Sequence, residues 1–252
     1  MRVFVKTNMN QQKFLWMLLI LFALQWNVAC SKKVIGAKGE NQSGNINERC
    51  PKQVTDFDGN QYSTVLIDKQ CWMAENLRSI HHADGSEVKE SWAYKDDKSN
   101  VQQYGRLYRW SAVSNPAGIC PEGWHVPSDE DYKVLERFLG MMETDIEGTG
   151  WRRTNNESRK LKEHDYAYFW SDAEKSEINI TGFSALPAGV RMTGGSYTGL
   201  GNYVDFWTST EDDNANAWNR SLVWIALHPG SDEIYRKPIE KEWGFSVRCI
   251  KD

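Results

Sequence analysis

Apolar and polar residues alternate along V-T-D-F-D-G-N-Q-Y-S-T-V-L-I, residues 54–67, in two runs on either side of Asp58-Gly59-Asn60. Alternation of period two around an Asp-Gly-Asn turn predicts a β-hairpin. The same string resembles a calcium loop, but the twelfth residue from Asp56 is Ile67, where an EF-hand needs Glu. Further along, the period becomes helical. Ser128 stands before Asp129, Glu130 and Asp131, so a serine cap and an acid at the third helical position predict a capping box. Tyr132, Leu135, Phe138 and Leu139 follow at i, i+3, i+6 and i+7 as the predicted apolar stripe, and Gly140 is the predicted stop. The acids thus have a structural task before any catalytic one. Glu157–Glu163 (E-S-R-K-L-K-E) predicts a short polar helix. T-G-F-S-A-L-P-A-G-V-R-M, V-D-F-W-T-S-T, A-W-N-R-S-L-V-W-I-A-L and G-F-S-V-R-C-I read as strands joined by long loops. Gly199 and Gly201 lack the strand-turn-helix setting of a dinucleotide fingerprint and read as a hairpin connection. No repeat of 20 to 50 residues is present.

The first thirty residues follow another pattern. Arg2, Lys6 and Lys13 precede an uncharged apolar run from Phe14 to Leu24. That layout is a secretory signal; the run is shorter than the roughly 20 residues a spanning helix needs. Met9 is an alternative start that gives a more compact basic head. The string W-N-V-A-C that follows resembles a bacterial lipoprotein box, with Asn27 where the pattern usually has an aliphatic residue. This implies lipidation of Cys30 after removal of a signal peptide, residues 1–29; the other reading is a secreted chain cut nearby. Residues 30–49 are then a polar tether with a reach of about 25 Å, and residues 50–252 form one domain.

Cysteine parity bears on the same question. Five Cys in an exported chain leave one over, and lipidation of Cys30 removes it. Cys50, Cys71, Cys120 and Cys249 can pair in three ways; Cys50–Cys71 with Cys120–Cys249 is the expected one. No CxxC or HxxxH suggests zinc. Loss of residues 1–29 leaves 27 basic against 34 acidic residues, a formal charge of -7. An acidic chain without a basic amphipathic stretch excludes nucleic acid as a partner and leaves membrane contact to the N-terminal lipid. The twelve Trp serve equally as core or as platforms for sugars.

Several segments together resemble the Fibrobacter succinogenes major paralogous domain family. They are D-F-D-G-N-Q-Y-S-T-V with Q-C-W-M-A-E-N-L-R, Y-G-R-L-Y-R-W-S-A-V, C-P-E-G-W-H-V-P-S-D-E, G-F-S-A-L-P-A-G-V-R, F-W-T-S-T and S-V-R-C-I-K-D, in the family's order across about residues 50–252. The family implies an exported or lipid-anchored domain and assigns no activity. W-H-V-P-S-D-E-D-Y and the closing S-V-R-C are similar to elements of formylglycine-generating-enzyme-like and C-type-lectin-like folds. That similarity implies a compact α+β domain with a twisted antiparallel sheet, few helices, long loops and termini close together. Cys120–Cys249 fits it, because the last strand would lie beside the segment entering the helix. Pro121, Pro127 and Trp124 would then make a structural corner.

The resemblance does not carry a catalytic site with it. A formylglycine-generating type of oxidase needs reactive thiols, which the expected bridges remove. His81 and His82 would point to opposite faces of an extended segment; His125, His164 and His228 are isolated, and no Gly-x-Ser-x-Gly elbow occurs. The lectin-type metal motif is also missing: Arg220 follows Trp218-Asn219 where an acid is required, and Glu-Pro-Asn is absent. Glu211, Asp212, Asp213, Asn214 and Asn216 do collect oxygen ligands that calcium can use, although an Asx turn explains them as well. The expected function is an exported, surface-exposed lipoprotein of the bacterial outer membrane or cell surface. It carries a non-catalytic binding or adhesion domain for a glycan or a surface protein, and no cofactor is expected, calcium at residues 211–216 being the lesser alternative. The alternatives are a structural envelope protein and, further off, a hydrolase with unmarked carboxylates. Trp92, Tyr197, Tyr203, Asp212 and Asp213 are the candidate ligand-binding residues.

Overall fold

The computed structural model describes residues 49–166, 175–225 and 232–252, all within the compact unit Ser43–Asp252. The signal segment, Cys30, nearly all of the tether and His228 lie outside the described residues. Among the described residues alternation is realised as fourteen strands: β1 (Gln53–Thr55), β2 (Gln61–Ile67), β3 (Gln70–Met73), β4 (Ser91–Trp92), β5 (Leu107–Arg109), β6 (Trp124–His125), β7 (Gly150–Arg152), β8 (Ala188–Arg191), β9 (Tyr197–Leu200), β10 (Tyr203–Glu211), β11 (Asn216–Val223), β12 (Ile234–Glu240), β13 (Gly244–Phe245) and β14 (Ile250–Lys251). The α-helices lying wholly among the described residues are α1 (Val101–Tyr104), α2 (Trp110–Val113), α3 (Asp129–Leu139) and α4 (Glu143–Ile146), of which α3 alone exceeds one turn. This is a sheet-rich α+β domain with few helices.

The predicted hairpin forms as β1 and β2, with Val54 opposite Tyr62. Its turn is closed by Asp56, whose carboxylate accepts from the Asn60 amide at 2.9 Å and the Tyr62 hydroxyl at 2.6 Å. Asp58 instead accepts from the amides of Ile80 and His81. Both acids are thus occupied in holding the turn and the following loop. The five-stranded sheet runs β1-β2-β3-β14-β6. Ile250 pairs with Trp72 on one side and His125 on the other, so the last strand does lie beside the segment that enters α3. Two disulfides lock this arrangement, Cys50–Cys71 and Cys120–Cys249, as expected. The second sheet runs β4-β5-β13-β8-β10-β11-β12-β7, with β9 added to β8, and is antiparallel except for one parallel bridge between β8 and β10.

Helix α3 starts and stops where the sequence predicts. Ser128 Oγ accepts from the Asp131 amide at 3.1 Å while the Asp131 carboxylate accepts from the Ser128 amide at 2.8 Å. Gly140 takes φ 101° and ends the helix, a conformation open to glycine without strain. The stripe needs correction. Tyr132, Leu135 and Leu139 are buried, but Phe138 is 52% exposed. Six residues from Tyr132 is about 120° off the stripe, and i+4 is the true neighbour. That place belongs to Glu136, 1% exposed, which carries the charge of the helix into the core.

The buried carboxylates of α3 meet guanidinium groups from the sheet. Arg236 binds Asp129 in a fork at 3.0 and 2.7 Å, and Arg220 reaches Asp129 at 2.8 Å and Glu136 at 2.6 Å. Arg152 forks onto Glu136 at 3.0 and 2.7 Å. Burial works against the charged form of Asp129, yet the hydrogen bond from Arg236 and the charge of Arg220 overcome it and hold the carboxyl well below its usual range. The Trp-Asn-Arg string of β11 therefore serves the core, with Asn219 turned to Asp205 at 2.7 Å. Burial pushes Asp205 up to about 7 despite the donors Ser221 and Asn219.

Two further expectations change. Glu157–Glu163 is not a polar surface helix: its only helical piece is a 3-10 turn, Arg159–Leu161, and Glu157, Ser158 and Lys162 are fully buried. The Glu157 carboxylate accepts from the Thr154 and Asn155 amides, so it closes a turn. The hairpin near Gly199 is β8 with β9, turning at Met192–Ser196, whereas Gly199 and Gly201 lead from β9 into β10, which does not pair with it.

Of the nine described Trp, Trp72, Trp110, Trp124, Trp207 and Trp224 are buried. Trp72, Tyr132, Phe183, Phe206 and Trp224 belong to a core that includes one face of α3, while Tyr62, Tyr108, Trp207, Phe245 and Val247 belong to a second around β13. Each such side chain contributes roughly 1.5–3 kcal/mol by leaving water.

Candidate functional site

The strand order β5-β13-β8 puts Arg109 and Arg191 on either side of Gly244, with which both pair. A Cβ at Gly244 would come within 3.0 Å of Arg191 Cβ and 3.3 Å of the Trp92 ring. Glycine therefore lets the indole settle over the sheet, with the Arg191 guanidinium 4.0 Å from its centroid and that of Arg109 at 5.9 Å. Arg191 also lies 5.9 Å from the Tyr197 ring. The Tyr197 hydroxyl donates to Asp96 at 2.6 Å, and burial together with that carboxylate pushes it up to about 12. Trp92 and Tyr197 are thus brought together, half-buried, around Arg191. Tyr203 is half-buried too, its ring filling the space where a Cβ on Gly199 would stand.

Beside this aromatic row the surface is hollowed. Arg109 is held between Glu90 and, at 2.9 Å, Glu242, and Ser111 donates to the same Glu90. One open concavity of about 350 Å³ is lined by Glu90 and Ser111 with His82, Glu87 and Lys89; the next, of about 480 Å³, by Arg109, Ser111, Asn214, Glu240, Lys241 and Glu242. Ser111 is exposed and lines both, so the two concavities, together termed the groove, adjoin at Ser111, with Glu90 on one side and Arg109 on the other. A smaller enclosed void between α3 and β11 is lined mainly by apolar core and has no opening comparable to the groove.

The loop Glu211–Asn216 forms the far rim. Asp213 Oδ1 accepts from the amides of Ala215 and Asn216, both at 2.7 Å, which is an Asx turn. Lys241 places its ammonium against Glu211 and the carbonyls of Asp213 (2.7 Å) and Asn214 (3.1 Å). An ammonium therefore sits among these oxygens, and calcium would have to displace it. Asp212 and Asp213 are exposed and separate from the Trp92–Tyr197 pair in the chain and in their contacts. Among the described residues no three His, Cys, Asp or Glu group as a metal site, and no helix is long and apolar enough to cross a membrane.

Of the groove's residues, the sequence singled out Asp213 and Asn214 at the rim and Trp92 beside it, but not Glu90, Arg109, Ser111, Lys241 or Glu242. These five come from three short stretches spread over 153 residues of chain, so no local signal marks them together, and the fold brings the stretches side by side. His125, read as isolated, bridges Asp252 at 2.6 Å and Asp131 at 3.4 Å, and His82 is buried against the Gly118 carbonyl.

Residues 65–251, more than half the chain, match the family model described as the Fibrobacter succinogenes major domain. No curated protein and no solved structure matches.

Proposed function

The chain belongs to the Fibrobacter succinogenes major domain family, and we propose that this member is an exported, lipid-anchored surface protein whose domain binds a glycan or a surface protein without catalysis. The observation that carries the reading is the groove: two adjoining concavities of the size of ligand sites, walled by hydrogen-bonding groups, one of which, Arg109, lies 5.9 Å from the Trp92 ring. Support for a non-catalytic role comes from the pairing of all four Cys of the domain and from the use of the conspicuous carboxylates Asp129, Asp131 and Glu136 in capping and ion pairing. Support for the anchor comes from the basic head, the apolar run and the box ending at Cys30.

Two measurements test this. Metabolic labelling with an alkynyl fatty acid should mark the wild-type protein at the envelope, and Cys30→Ser should abolish the label and release the chain; a labelled Cys30→Ser protein overturns the anchor. The intact chain should also bind saturably in a panel of glycans and surface proteins, with calcium and then with chelator. Loss with chelator would give the Glu211–Asn216 loop a metal. Silence throughout, from folded protein, would favour a structural envelope role.

A further inference from the structure

The charges in the groove narrow the ligand class, on the premise that the groove is the binding site. Its two inner cations are already engaged: Arg109 by Glu90 and Glu242, Lys241 by Glu211 and two carbonyls. At the outer end exposed Glu87 and Lys89 offset each other. What remains is an excess of carboxylate from Glu90, Glu242 and Glu240 over Arg109; among the described residues lining its centre each cation has an acidic partner, and Arg109 keeps only a buried Nε–H without one. An anionic ligand entering there would lose water beside like charge, which disfavours it. A cationic ligand gains little, because Glu90 is tied to Arg109 and Ser111, and the Glu242 side chain is 61% exposed, where ion pairs are weak. A carboxylate bound to Arg on one edge still has lone pairs for O–H donors, and a ligand rich in neutral hydroxyls supplies them.

We propose that the groove binds an uncharged, hydroxyl-rich polysaccharide segment lying across Ser111, with its hydroxyls donating to Glu242 and Glu90. Length follows from that placement: a segment lying in both concavities contacts more of the surface than one sugar in either, so single sugars should bind less well than oligomers.

The test compares full-length protein with neutral hexaoses of glucose, xylose and mannose, with a hexamer of galacturonate and with a fully deacetylated chitosan hexamer, by calorimetry. Two variants locate the site. Glu242→Gln removes a charged acceptor on an exposed side chain and should weaken neutral binding by about tenfold. Ser111→Trp fills the place where the concavities adjoin from an exposed helical position and should weaken it by at least about a hundredfold with an unchanged thermal transition. A neutral oligomer bound by the wild type and lost in Ser111→Trp supports the proposal. Tighter binding of the galacturonate or chitosan hexamer overturns the ligand class and leaves the groove as a binding site. Neutral binding that is indifferent to Ser111→Trp overturns the site. No binding of any oligomer by folded protein overturns the proposal, and a surface protein bound in its place keeps the wider reading of a binding domain.

Discussion

Glu136 is the residue whose surroundings differ most from what its sequence position suggests. It occupies the helix face that an apolar residue would fill, and is held there by Arg152 and Arg220. Buried ion pairs of this kind add little net stability, but removal of one partner leaves a charge unpaired in a low dielectric. Glu136→Gln should therefore cost about 3–5 kcal/mol, read as a lower urea midpoint at unchanged slope. A loss below about 1 kcal/mol would mean that water reaches the two guanidinium groups. Such a residue is hidden from sequence reading, because a Glu at i+4 on a helix reads as solvated until its cationic partners, 16 and 84 residues away, are folded beside it.

Elements are tied together by similar pairs nearer the surface. His125 of β6 bridges Asp131 in the first turn of α3 and Asp252 after β14. The hydrogen bond to Asp131, against the opposing effect of burial and with help from Asp252, raises the pKa of His125 above its ordinary 6.5, while Asp131 is lowered. The signs follow from linkage. His125 stabilises the fold fully below pH 6.5 and loses that contribution as pH rises through its folded pKa; Asp131 contributes above about pH 4 and loses it as pH falls. NMR titration should place the His125 midpoint above 6.5 and return it toward 6.5 in Asp131→Asn; an unshifted wild-type midpoint would remove the tie. The helix itself was legible in the sequence, since Ser128, Asp131 and Gly140 act within one or two turns. The place of the last strand beside its entry came from the fold resemblance, whereas the His125–Asp252 bridge was not legible, because it joins residues 127 positions apart.

For the whole molecule the decisive constraint is Cys120–Cys249, which closes 129 residues and fixes the last strand beside the entry to α3. Chain entropy assigns such a loop about 5 kcal/mol, and native disulfides of small exported domains are typically worth 2–5 kcal/mol. Cys120→Ala with Cys249→Ala should lower stability in that range in chemical denaturation, and an unchanged midpoint would show that the sheet alone holds the chain end. Arg248, next to this bridge, is buried with its guanidinium on Asn76 and on the carbonyls of Phe183 and Ser184, and burial lowers it to about 9. The closing S-V-R-C string is thereby joined to both the Q-C-W-M-A-E-N-L-R and the G-F-S-A-L segments. The hairpin, the capped helix, the acidic balance, the cysteine parity and the family are legible without a structure, because each rests on neighbours a few residues apart or on composition and ordered motifs. Only folding puts Glu136 rather than Phe138 against the core, completes an ion cluster with Arg220, and sets Glu90, Arg109, Ser111, Lys241 and Glu242 around two concavities that meet at Ser111. Those outcomes depend on which strands pair and on which charges burial forces together, and neither is a property of any local stretch of chain.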